Sequence, residues 1–191
     1  MLRRIVTCAD GLPRLNRHNQ KKEMIMAINA LKYTTHEGVL RTVPLDTVRL
    51  IRPLTDEDKE RAKESLKEKR GIDIDPARVS IRIEFGDKSS KLARENLEGL
   101  RAQGIALVNM GSERYVPAAN ITGAESFTKE DADRLKEEDY TLSQNFRAKV
   151  DTKAGTVLSS ATPQQVMDRR AKALEAANSN TPGANVKARP T

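Results

Sequence analysis

The sequence predicts an α+β protein made of two related β-hairpin–helix units, with a small, mostly antiparallel sheet and flexible basic termini. An internal repeat, one clearly alternating strand and the distribution of charge predict this class. The repeat relates residues 41–64 to residues 114–137 without a gap, with identity at nine of 24 positions. The identical pairs are Arg41/Arg114, Val43/Val116, Pro44/Pro117, Thr55/Thr128, Glu57/Glu130, Asp58/Asp131, Arg61/Arg134, Lys63/Lys136 and Glu64/Glu137. The similar composition of two charged helices would explain the identities from Thr55/Thr128 onward. A duplication would also explain the R-x-V-P that precedes them in the same register.

Each copy begins with a predicted β-hairpin. Apolar runs at residues 28–35 and 105–110 are followed by the turn-forming triplets HEG and GSE, and then by R-x-V-P. Because proline has no N–H to give to a neighbouring strand, Pro44 and Pro117 place their strands at sheet edges.

A capped helix follows each hairpin. Thr55 and Thr128 are good N-cap residues, and acidic residues follow each of them in the first turn. Asp58 and Asp131, three residues after the caps, make a weaker form of the capping box. The first helix runs to residue 70, and Gly71 ends it.

The middle of the chain contains the clearest strand. Val79, Ile81, Ile83 and Phe85 alternate with polar residues, which is the period of a half-buried strand. After a turn at residues 86–87, the pattern predicts a helix over residues 91–103, capped by Ser89 or Ser90, and then a strand from residue 105.

The chain becomes less regular after residue 140. Residues 150–158 are compatible with one more strand, and Thr162-Pro163 begins a short amphipathic helix to about residue 177. Its predicted apolar stripe is Met167, Ala171 and Leu174. The last residues, NSNTPGANVKARPT, are poor in apolar side chains and predict disorder.

Charge is concentrated at the two ends. Residues 1–25 carry +4, residues 147–191 carry +5, and the intervening part carries −2, within a net charge of +7. We therefore predict four segments: a basic arm or leader (1–25), a first hairpin–helix unit (26–71), a second α+β unit (72–140), and a tail with a short helix and a disordered end (141–191). A basic face on the compact part is not expected.

Residues 1–25 have two interpretations. One is a disordered basic arm. The other is a translated leader from a misplaced start, since Lys21-Lys22-Glu23 can be encoded by a ribosome-binding sequence placed suitably before Met26. On this second interpretation the gene is bacterial, or belongs to a phage or mobile element. The expected location is the cytoplasm, or the virion if a phage encodes the protein.

The sequence offers little for catalysis. Its one cysteine (Cys8) and two histidines (His18 and His36) lack partners at metal-ligand or nucleophile–base spacing. Residues 86–91, GDKSSK, lack the upstream glycine of a phosphate loop, and Asp87 separates Gly86 from Lys88. Carboxylates are many, but they lie on helices expected to be solvated. We therefore expect no enzyme, no metal, no cofactor and no membrane span.

Two non-enzymatic functions remain. The first is assembly or an adaptor role, through self-association or partner binding at the hairpin edges. The alternative is nucleic-acid binding by the basic termini and the hairpin arginines, although aromatic residues are too few for a stacking platform. The candidate contact residues are Arg41, Arg114, Tyr115, Arg169, Arg170 and Lys172.

Residues 105–123, IALVNMGSERYVPAANITG, resemble the strand–turn–strand of the small ring-forming DNA-binding regulators of bacterial matrix genes. The resemblance covers fewer than twenty residues and consists mainly of an N-x-G turn and an A-x-N-I ending. It implies no functional residue and assigns no family.

Overall fold

The computed structural model describes residues 29–138 and 145–179. Helices and small antiparallel sheets make up this part, which confirms the α+β class. Residues 1–25 lie outside the described part, as does most of the predicted disordered end. The two interpretations of residues 1–25 therefore stay predictions.

Ten strands of the described part form three antiparallel sheets. They are β1 (Ala30–Thr34), β2 (Leu40–Pro44), β3 (Val48–Pro53), β4 (Ile81–Phe85), β5 (Ser90–Ala93), β6 (Leu107–Asn109), β7 (Tyr115–Pro117), β8 (Ile121–Ser126), β9 (Ala148–Thr152) and β10 (Gly155–Ser159). The sheet orders are β1-β2, β5-β4-β3-β7-β6 and β10-β9-β8.

Helices connect and cover these strands. The α-helices are α1 (Asp56–Arg70), α2 (Leu97–Ala102), α3 (Lys129–Glu137) and α4 (Pro163–Ser179), and 3-10 helices span Leu45–Thr47, Pro76–Arg78 and Ala118–Asn120. The predicted caps of α1 and α3 are present: each threonine hydroxyl accepts from the aspartate N–H three residues on, and each aspartate accepts from the threonine N–H. Gly71 ends α1 with φ of 65°.

Both predicted hairpins form, but only one of their proline-bearing strands is an edge. Among the described strands, β2 pairs with β1 alone, whereas β7 lies between β3 and β6. The edge position predicted for Pro117 is therefore wrong. Its missing N–H is tolerated because β7 pairs with β3 only through Tyr115 and Ile51, away from the proline.

Each hairpin continues through a 3-10 helix into a third strand that the sequence pattern does not predict. β3 and β8 begin 73 residues apart, as do their preceding 3-10 helices. β3 has a bulge between Val48 and Leu50, and β8 has one between the equivalent residues, Ile121 and Gly123. The two copies share this element order, and a duplication as its origin stays a prediction.

The predicted helix over residues 91–103 is wrong in its first half. Residues 90–93 form β5, which pairs with β4 through the turn at residues 86–89. α2 begins only after Asn96, whose side chain accepts from the Gly99 N–H. The sequence of such a short segment is compatible with a helix or a strand. Pairing with β4 therefore determines that residues 90–93 form a strand.

The C-terminal region contains more structure than predicted. The strand proposed for residues 150–158 is a hairpin of β9 and β10. α4 buries Val166 and packs Met167, Ala173 and Leu174 against its neighbours, so the stripe differs from the predicted one, and Ala171 is exposed.

Two apolar clusters form the interior. The first takes residues from β1, β3, β4, β5 and α2, including Leu31, Ile51 and Ile83. The second takes residues from β7 to β10 and α4, including Val150 and Val166. β4 and β5 thus pack with the first hairpin. The predicted boundary between the two units, at residue 71, places both strands in the second unit. The predicted domain limits themselves stay predictions.

Candidate functional site

A cleft of about 710 Å³ lies between the β1–β2 hairpin, α1 and the β4–β5 hairpin. Ala62, Leu66 and Leu92 contribute apolar surface to it. Six basic side chains line it, namely Arg41, Arg61, Lys69, Arg70, Arg82 and Lys91. Only two acidic side chains do so, Glu37 and Asp58. We call this site the cationic cleft.

Four elements bring these cations together, and one of them is β5, which contributes Lys91. Arg61 and Lys69 lie two turns apart on one face of α1, with Ser65 between them. Arg82 is an outward residue of β4, between the buried Ile81 and Ile83, and Arg41 comes from β2. Residues distant in sequence thus supply one local concentration of positive charge.

Most of these cations lack a carboxylate partner in the part of the chain that the structure describes. Within residues 29–138 and 145–179, Arg61 is the only one of the six that forms an ion pair within 4.0 Å, with Glu57 at 3.4 Å. Asp58 of α1, which also lines the cleft, accepts from the N–H of the N-cap residue Thr55. The cleft is therefore electropositive and open to an anion.

Local surroundings shift the pKa of two lining groups. Burial raises the pKa of the Tyr33 hydroxyl, while the positive charge of Arg41 acts in the opposite direction. Burial also raises the pKa of Asp58, but hydrogen bonds from Thr55 and the charges of Arg52 and Arg82 bring it below the ordinary value. Asp58 therefore stays ionised at neutral pH and offsets part of the positive charge.

In the second copy, the basic side chains at the equivalent position are neutralised by ion pairs. Lys149 of β9 binds Asp131 at 3.0 Å and Glu125 at 2.9 Å, and Arg134 binds Asp131 at 3.3 Å. The Thr128 N–H and then Lys149 lower the pKa of Asp131 to about 2. Unpaired cations are thus a feature of the first copy at this location.

The predicted contact residues do not form one site. Arg41 lines the cationic cleft, but the guanidinium of Arg114 lies 5.8 Å from the ring centre of Phe146. Tyr115 is half-buried in β7, and its hydroxyl accepts from the Asn109 amide at 3.5 Å.

The predicted residues of α4 have other surroundings. Arg169 donates to the Asn109 carbonyl at 2.8 Å, and Arg170 donates to the Ala118 carbonyl at 3.2 Å. Both side chains therefore attach α4 to the second hairpin and its 3-10 helix. Lys172 is exposed on α4.

The sequence pattern does not identify five of the six cleft cations. The charges of α1 are typical of a solvated helix face, and the pattern around Lys91 predicts a helix. The alternating strand pattern does indicate that Arg82 points away from the core. The other cations of the cleft lie on other elements, so the sequence does not show that they are close to Arg82.

Comparisons with family models, curated proteins and solved structures give no match. In the described part of the chain, no group of three or more His, Cys, Asp or Glu side chains is placed to hold a metal ion. No described helix is long and apolar enough to cross a membrane.

Proposed function

We propose that the protein is a non-enzymatic nucleic-acid-binding protein whose cationic cleft holds backbone phosphates. The observation that carries this proposal is the set of cleft cations that form no ion pair with a carboxylate within residues 29–138 and 145–179. Unpaired arginine and lysine side chains around a concave surface attract phosphates, and binding releases the counterions of the nucleic acid. Arg41, predicted as a contact residue, is a member of the set.

Two substitutions on α1 test the proposal as a matched pair. Lys69 lines the cleft, whereas Lys67 is exposed on the same helix and does not line it. Lys69→Glu and Lys67→Glu change the net charge and the last helical turn equally. We expect Lys69→Glu alone to weaken binding of a labelled 12-nucleotide strand strongly, as measured by fluorescence anisotropy at 50 and 200 mM salt.

The salt dependence adds a second readout. The loss of a phosphate contact lowers the slope of log affinity against log salt by about one, and Lys69→Glu is expected to show this. Equal effects of the two substitutions, or binding that does not respond to salt, contradict the proposal.

Self-association is a second candidate, supported by the edge of β2 that pairs with no other described strand. This strand pairs on one side with β1, and Leu40 is 66% exposed beside Val39 at 42%. An unpaired strand edge with exposed apolar side chains is suited to pairing with another chain. β7 does not offer such an edge, because it is paired on both sides.

A further inference from the structure

A second cleft of about 650 Å³ adjoins the cationic cleft. Tyr33 and Lys91 line both. The second cleft is mainly apolar and takes side chains from β2 and β4, including Val43, Pro44 and Phe85. We call it the apolar cleft. The two clefts therefore meet along a common wall.

The cationic cleft has an excess of basic side chains, whereas the basic and acidic side chains that line the apolar cleft balance. The cationic cleft has six basic side chains, whereas Asp46 and Asp87 line the apolar cleft together with Lys91 and Lys153. Carboxylates repel phosphates, but they accept hydrogen bonds from the amino groups of nucleobases. The carboxylate of Asp87 already accepts from the Ser89 N–H at 2.9 Å, which leaves Asp46 as the better acceptor.

We propose that the two clefts form one site for single-stranded nucleic acid. Backbone phosphates lie in the cationic cleft, and an unpaired base inserts into the apolar cleft against Pro44 and Phe85. This inference rests on the proposed function and specifies its ligand.

Size and charge both favour a single strand. Each cleft has the volume of a small-ligand site, which admits a few nucleotides and not a double helix. A duplex carries its phosphates outside and its bases stacked inside, so it would place phosphates near Asp46 and no base in the apolar cleft. Single-strand sites combine a cationic groove with surfaces that contact the bases, as the adjoining clefts do here.

The ligand itself provides the first test. With the full chain, anisotropy is measured for a labelled 12-nucleotide strand, its duplex, and a strand of equal length with abasic sites. We expect the intact strand to bind about tenfold more tightly than either of the others, since contact with a base contributes to affinity beyond the phosphates.

A matched pair of substitutions on β2 provides the second test. Pro44→Asp puts a carboxylate into the apolar cleft, whereas Thr42→Asp adds the same charge at an exposed residue that lines neither cleft. Pro44→Asp is expected to weaken binding of the intact strand about tenfold and to affect the abasic strand no more than Thr42→Asp does. Thermal unfolding of both variants confirms that they are folded.

The outcomes separate this inference from the proposed function. If the abasic strand or the duplex binds as tightly as the intact strand while Lys69→Glu still weakens all three, the single-strand inference fails and the proposed function stands. If Lys69→Glu affects none of the ligands, both fail.

Discussion

Arg52 of β3 and Arg82 of β4 lie directly opposite each other in antiparallel strands. Like charges at such a position destabilise a sheet. The equivalent pair of the second copy, Glu125 and Lys149, is an ion pair with an N–O distance of 2.9 Å. In the first copy, Arg52 binds Glu84 at 3.6 Å, whereas Arg82 lines the cationic cleft, where a bound phosphate would offset its charge.

Reversing the charge of Arg82 is expected to remove binding without unfolding the protein. In Arg82→Glu, the new carboxylate faces Arg52 as Glu125 faces Lys149. The free energy of unfolding should therefore stay within about 1 kcal/mol of the wild-type value. Denaturant unfolding and anisotropy with the labelled strand measure the two effects. Unchanged affinity in this folded variant would exclude Arg82 from the binding site.

Asn120 connects the two copies through a buried contact. Its side-chain amide donates to the carbonyl oxygens of Leu45 at 2.7 Å and Val48 at 2.8 Å, and the residue is 1% exposed. Asn120→Ala leaves both acceptors without this donor, and we expect a loss of about 2–3 kcal/mol in denaturant unfolding.

Thr47 provides the control for Asn120. It occupies the equivalent position of the first 3-10 helix, and its exposed hydroxyl donates to the Pro44 carbonyl at 2.7 Å. Thr47→Ala should cost less than about 1 kcal/mol. Similar losses for the two variants would show that burial of the Asn120 contact is unimportant.

Stability is expected to fall at acidic pH because of Asp131. Its folded pKa of about 2 lies below the ordinary value of 3.8, so ionisation favours the folded state. This contribution is complete above about pH 4 and is lost as the pH falls from about 4 to 2. Asp131→Asn should lower the urea midpoint at pH 7 and converge with the wild type near pH 2. A difference that persists unchanged at pH 2 would mean that ionisation is not its source.

Gly86 lies where the β4–β5 turn contacts the β9–β10 turn. A Cβ atom at this position would be 2.9 Å from the Ala154 carbonyl oxygen, which is backbone and moves only at a cost. We expect Gly86→Ala to destabilise the protein by about 1–3 kcal/mol. Gly123→Ala is the control, since its Cβ would meet no atom closer than 4.0 Å. Thermal unfolding compares them, and equal effects would rule out the steric explanation.

The β2 edge makes a separate prediction about self-association. If copies associate through this edge, Leu40→Asp should shift light-scattering masses from oligomer to monomer, because a charge replaces an exposed apolar side chain. Ser179→Asp adds the same charge at an exposed residue of α4 and should leave the mass unchanged. A wild-type chain that is monomeric at all concentrations tested would exclude this candidate.

The sequence alone determined the features that depend on neighbouring residues. Thr55 and Thr128 cap helices because the N-cap hydroxyl accepts from the N–H of the acid three residues later, and that acid accepts from the threonine N–H. The alternation from Ile81 to Phe85 likewise indicated its strand, because a strand with one buried face has a period of two.

Tertiary structure decided which segments pair and which charges meet. Residues 90–93 became a strand because β4 offered a partner, and β7 became internal because β3 did. The cationic cleft draws Arg41, Lys69 and Lys91 from three separate elements, so its charge cannot be read from any one stretch. Local sequence sets the conformation of a segment, whereas only packing of the whole chain sets the distance between side chains far apart in sequence.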